Sequence, residues 1–235
     1  MKHVFPHAIM MMLLYLLSAC HTASHSSDRY SERSIVILHE NDVHCNIEGY
    51  ASIASLRDAI TDTAHVAVVS CGDYLQGGTA GAISGGQFVA DVMRSVGYDA
   101  VTLGNHEFDY GTERMFALLN YGRLPVTCLN LRSCATGKRP FSPFIMRTYG
   151  TKRVAFIGVV TPNTLYSESY AFYDELGRQE YELCPNTLHQ EVQEAANQAR
   201  KAGADYVVVL AHLGEAKNSL RADSHSLIAA TRGID

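Results

Sequence analysis

The chain has 235 residues, a formal net charge of −5, 47% hydrophobic and 18% charged residues. That is long enough for one large α/β domain and too apolar for a disordered chain. The acidic balance excludes a basic surface for a nucleic acid polymer, so an anionic ligand needs metal ions or local donors.

The first element is a leader. MKHVFPH precedes the apolar run Ala8–Ala19, shorter than the ~20 residues that span a bilayer, and so reads as a signal peptide over residues 1–19. Leu17-Ser18-Ala19-Cys20 resembles the bacterial lipobox. That resemblance implies lipidation of Cys20, a membrane anchor and an exported protein facing the periplasm or cell exterior. The polar, Ser-rich stretch 20–33 then reads as a tether, and 34–235 as the folded domain.

Four apolar, β-branched runs read as buried strands: Ile35–Leu38, Val66–Val69, Ala100–Leu103 and Val207–Leu210. Helical patterns fall between them at Tyr50–Ile60, Gly85–Val96 and Asn186–Ala202, the last with Asn186 as N-cap and Gly203 as stop. Strands alternating with helices predict a layered α/β fold. Besides Cys20 there are Cys45, Cys71, Cys128, Cys134 and Cys184, an odd number, which leaves at least one thiol free or paired between molecules. Cys128 and Cys134 are near enough in sequence to pair across a loop. No Cys/His spacing suits a zinc finger.

Each strand run ends in polar chemistry. The first runs into HENDVH, with Asp42 and His44, and the second into SCGDYLQGG, with Asp73. The third runs into GNHEFD, with Asn105, His106 and Asp109, and the fourth into AHLGE, with His212. Ligands of α/β sheets bind at the carboxyl ends of strands. One Asp after a strand is an ordinary turn or cap, and His65, His189, His225, Asp58, Asp62 and Asp99 read as packed or solvated surface groups. Four coincident tails differ, because gathering Asp and His in a cleft is costly without a cation or hydrogen bonds. Carboxylate, imidazole and carbonyl donors suit Zn²⁺, Mn²⁺ or Fe²⁺.

These motifs, with LNL (Leu129–Leu131) and VAFIGVVTP (Val154–Pro162), resemble the 5′-nucleotidase/UDP-sugar hydrolase family of calcineurin-like metallophosphoesterases from Ser34 to Asp235. The resemblance implies an α/β/β/α sandwich and two divalent ions (Zn, Mn, Fe or similar). It also implies hydrolysis of 5′-nucleotides or related phosphate esters. By the same resemblance Asp42 and His44 bind one ion, Asp73 bridges, and Asn105 and His212 bind the second. His106 faces the phosphoryl group, Asp109 orients it, and Asn130 approaches the substrate end of the cleft. Two cations ~3.5–4 Å apart lower the pKa of a water held between them and neutralise phosphate charge.

Cys45 stands where the family commonly has Gly, and a small buried thiol is the expectation there, against a catalytic or oxidation-sensitive one. The tyrosine-rich segment between Thr161 and Pro185 is expected as a surface excursion, against a base-stacking platform. The family pattern continues beyond a segment like TRGID into a strand and a Gly-His-x-His or Gly-His-x-Gln element, whereas this sequence ends at Asp235. The expectation is therefore a domain incomplete at its C-terminus. The alternative is a truncated, non-catalytic product or a metal- or partner-binding module.

Overall fold

In the computed structural model the described residues are 33–184, 186–215 and 222–235. The predicted signal peptide, Cys20 and nearly all of the tether lie outside them. The chain divides into two units, Met1–Ser34 and Ile35–Asp235, and the fold that follows is that of the second.

The first sheet is parallel, in the order β1-β2-β3, from β1 (Ile35–Glu40), β2 (His65–Ser70) and β3 (Ala100–Val101). The second sheet joins β5 (Ile145–Tyr149), β6 (Lys152–Val160) and β8 (Tyr206–His212), with β6 and β8 parallel and β5 antiparallel to β6. A small antiparallel pair, β4 (Leu131–Ser133) with β7 (Tyr181–Leu183), lies apart from both.

The alternation of side chains along a strand explains the layering. Ala67 and Val69 of β2 face Val154 and Phe156 of β6 in the core between the sheets, while Val68 faces the other way. There it packs with helices α1 (Ile47–Ile60), α3 (Gln87–Val96) and α4 (Thr112–Gly122). On the far side Ala155, Ile157 and Val159 of β6 pack against Leu188, Val192, Ala195 and Ala199 of α6 (Leu188–Lys201). Sheets covered on both faces need runs without polar positions, as the four predicted strands have. The architecture is the expected α/β/β/α sandwich.

The expected boundaries shift for local reasons. Gly85 and Gly86 take left-handed φ of 54° and 82°, ending a short helix α2 (Gly78–Ser84), so α3 starts at Gln87. Asn186 is not the cap of α6. Thr187 holds that place, its hydroxyl donating to Glu191 Oε1 at 2.7 Å, while Gly203 turns the chain away at φ 91° as expected. The cysteines Cys45, Cys71, Cys128, Cys134 and Cys184 are all free. Cys128 is fully buried and Cys134 exposed, so the suggested pairing does not occur. Asp99 is half-buried rather than solvated, accepting the Val68 amide at 2.8 Å, whereas Asp58 and Asp62 are exposed.

Candidate metal centre

The tips of β1 and β2 are held together beyond the strands. Cys71 N donates to Glu40 O (2.8 Å), Asp42 N to Gly72 O (3.1 Å) and His44 N to Asp73 O (3.0 Å). To make these bonds the backbone enters the left-handed region at Asp42, His44, Cys45 and Asp73, with φ of 56°, 44°, 63° and 60°. Each such residue costs about 1–3 kcal/mol, and strain of this kind concentrates where geometry serves a site. Two glycines permit the approach of the third tip. A Cβ on Gly72 would overlap Gly104 N, and one on Gly104 would overlap Asp73 Oδ1.

Asp73 is the buried centre of the arrangement. Its Oδ1 accepts the His106 amide at 2.9 Å, and its Oδ2 lies 3.3 Å from His212 Nε2 and 3.7 Å from His44 Nε2. His212 Nδ1 is 2.9 Å from the Cys71 carbonyl, which fixes the proton there and leaves the Nε2 lone pair pointing inward. That lone pair faces Asp73 Oδ2 and Asn105 Oδ1, each at 3.3 Å. Three acceptors converge, and only a proton on Nε2 or a cation satisfies them. Donors bonded at ~2.0–2.2 Å to one ion sit about 3.0–3.5 Å apart, so these spacings fit a divalent ion. His44 repeats the pattern: Nδ1 faces Gln76 O at 3.2 Å and Nε2 faces Asp73, with Asp42 Oδ1 at 4.0 Å.

Asp73 thus belongs to two donor groupings, one with Asp42 and His212 and one with His44 and His106. Electrostatics follow. Burial opposes the Asp73 charge, but His212 and the His106 amide outweigh it and hold the carboxyl below its ordinary range. Burial and the neighbouring Asp73 push Asp42 up. Burial acts to lower the pKa of His212, yet Asp73 overcomes it and raises it.

His106 stands at the edge of the centre, its ring 5.0 Å from that of His44. Its Nδ1 lies 2.9 Å from Asp109 Oδ2, so Nε2 is the free nitrogen. Burial would lower its pKa, but Asp109 and Asp73 raise it. Asn130 does not reach the cleft. It is fully buried, donating to Val160 O at 2.7 Å and accepting Val160 N at 3.1 Å, which ties the chain after β3 to β6. Cys45 is a buried thiol directed at Tyr74 and Leu75 carbonyls, pushed up to about 11 by burial, and so inert.

Sequence reasoning passed over Glu107. This fully buried carboxylate accepts four backbone amides: Gly104 at 2.6 Å, Asp73 and Tyr74 at 2.7 Å, and Leu75 at 3.0 Å. Burial and the Asp73 charge push its carboxyl up while the amides pull the other way. Both oxygens are engaged as acceptors, and in this way Glu107 shapes the loop that presents Asp73. Glu40, at the tip of β1, is the contrasting case. The Ser70 and Tyr98 hydroxyls lie beside it without satisfying its oxygens, and burial pushes it up to about 7.

A family model described as calcineurin-like phosphoesterase matches residues 35–229. A snake venom 5′-nucleotidase of Gloydius brevicauda is 29% identical over 224 residues, 86% of this chain and 37% of its own. The solved calcineurin-like phosphoesterase YfkN from Bacillus subtilis superposes with TM-score 0.70 at 20% identity, covering 85% of this chain and 69% of that one. The 5′-nucleotidase precursor from Thermus thermophilus gives 0.64 at 26% identity, over 76% and 37%. The chain spans well under half the length of the curated relatives it matches.

Proposed function

From the premise that this chain belongs to the calcineurin-like phosphoesterase family, we propose that it hydrolyses phosphate esters, 5′-nucleotides foremost, with two divalent ions. The observation that carries the reading is the buried Asp73, shared between two donor groupings and met by the inward Nε2 atoms of two histidines. As the family resemblance implies, Asp42 and His44 would hold one ion, Asn105 and His212 the other, and Asp73 both; the Nε2 atoms of both histidines face Asp73 Oδ2. Once bound, the ions would supply Lewis-acid charge at the phosphoryl oxygens and an acidified water.

The remaining work belongs to side chains of this chain. Asp109 fixes the His106 tautomer with the proton on Nδ1. A second proton on Nε2, favoured by Asp73 and Asp109, makes His106 a donor to the phosphoryl oxygens or the leaving alcohol. Glu107 keeps the Asp73 loop rigid, so that Asp73 itself needs no rearrangement on binding. The leader and Cys20 complete the proposal as the signal and lipid anchor of an exported lipoprotein, with residues 34–235 as its phosphoesterase domain.

The test is release of phosphate from AMP, UDP-glucose and 2′,3′-cyclic AMP by the full chain supplied with Mn²⁺. Turnover of AMP that needs the metal is expected. In His106→Ala, turnover should fall about a hundredfold or more with metal content unchanged. Absence of metal-dependent turnover on every substrate would contradict the hydrolase reading, and loss of metal from His106→Ala would make His106 a ligand instead.

A further inference from the structure

The segment between β6 and β7 carries a carboxylate for which the chemistry above has no use. After a short helix α5 (Thr164–Ser167) the chain makes a 3-10 turn, Ser169–Phe172, and lies across the residues that follow His106. Three contacts pin it there. Tyr170 Oη donates to the Asp109 carbonyl at 2.8 Å, Thr112 Oγ1 donates to the Ala171 carbonyl, and the Phe172 ring stacks on Phe108 with centroids 4.8 Å apart. This strap brings Glu168, half-buried, to the site. A His106 nitrogen and carboxylate oxygens of Asp109 and Glu168 all lie within 4.8 Å of one another.

His106 therefore joins two sets of groups. One holds His44 and Asp73, and the other Asp109 and Glu168. The Asp109 carboxylate is engaged by His106 Nδ1. Among the described residues Glu168 has no Lys or Arg ion pair; its neighbours are the Tyr170 hydroxyl, His106 and Asp109, which leave the pair of carboxylates with a net negative charge. An ester substituent leaving the Asp73 centre on the Asp109 side of His106 would pass Glu168.

We propose that Glu168 is a specificity-determining residue: its carboxylate, set with that of Asp109 beside His106, disfavours phosphate esters carrying further negative charge near the scissile phosphate. Monoesters of neutral, hydroxyl-bearing alcohols are the favoured class, because hydroxyls can donate to the carboxylate while a second anion is repelled. Two unit charges ~6 Å apart repel by an amount worth about threefold in affinity at the dielectric of water and about a hundredfold at an effective dielectric near 20. Half-buried Glu168 stands between those limits, nearer the first. The identity of the substrate rests on the hydrolase reading, but the charge discrimination is measurable by binding alone.

The experiment is isothermal titration of the Mn²⁺-loaded full chain carrying His106→Ala, which should keep its metal without turnover, with glycerol 3-phosphate and with 3-phosphoglycerate, which place a neutral alcohol and a carboxylate on the same carbon skeleton. This chain should prefer glycerol 3-phosphate. With Glu168→Gln added, the relative affinity for 3-phosphoglycerate should rise about three- to tenfold, and the gain should shrink in 0.5 M salt. Glu168→Asp keeps the charge and should keep the preference. An unchanged ratio with Glu168→Gln, or an equal change with Glu168→Asp, would overturn the proposal while leaving the hydrolase reading to the AMP assay. Failure to bind either ester would overturn the proposal in the same way.

Discussion

The β1 and β2 tips supply the same kinds of donor and prepare them differently. The β2 tip is finished before any ion arrives: Asp73 is buried, its loop amides are gathered by Glu107, and Oδ1 is already bonded to His106 N. The β1 tip is open. The Asp42 and His44 side chains are 51% and 35% exposed, and the exposed Asn41 amide donates to Asp42. The lesson is that rigidity is concentrated on the residue shared by both donor groupings, while the outer donors are left more exposed.

That contrast can be broken by substitution. The largest effect is expected at Asp73, where Asn removes charge from the group shared by both groupings. Turnover should fall to background and metal content should drop, whereas Asp42→Asn should weaken metal binding about ten- to a hundredfold without unfolding the chain. Calorimetric metal titration of the two variants side by side decides it, and equal losses would mean that the tips are equivalent.

Next in size is Glu107→Gln. An amide offers one oxygen where four amide donors now share two, so at least one buried N–H loses its partner. The cost should be about 3 kcal/mol by denaturant unfolding, with weaker metal binding as a consequence. A near-neutral Glu107→Gln would show that the β2 tip is not held in this way.

Smaller, and dependent on pH, is the effect of Glu40→Gln. The folded-state pKa near 7 lies above the ordinary carboxylate value, so between about pH 4.5 and 7 the folded protein holds the extra proton. Stability of the metal-free protein should therefore fall as pH rises through that window, by up to about 3 kcal/mol, and Glu40→Gln should flatten the fall. Melting curves at pH 5 and pH 8 measure it. A wild type equally stable at both would remove the unsatisfied Glu40 from the account.

Much of this was legible in the sequence because it depends on one-dimensional signals. Four apolar runs marked the two sheets, and polar residues at their ends marked the edge where Asp42, His44, Asp73, Asn105 and His212 meet. What escaped notice depends on direction. Glu107 sits between His106 and Phe108 in a motif already singled out, but nothing in a linear pattern says that it points inward to four amides. Asn130 failed in the opposite sense: an amide that looked like a substrate contact is a buried brace on Val160. β4, β5 and β7 were missed, their short or mixed runs lacking the continuous apolar pattern of a strand covered on both faces. Glu168 reaches His106 only through the strap's path over Phe108, a tertiary contact with no local signature.

The central claim, that Asp73 stands between two cations, is tested most directly by anomalous diffraction at the manganese edge from crystals grown with Mn²⁺. The account predicts two peaks about 3.5–4 Å apart, both within bonding distance of the Asp73 carboxylate. A lone peak, or a pair that leaves Asp73 untouched, would contradict it.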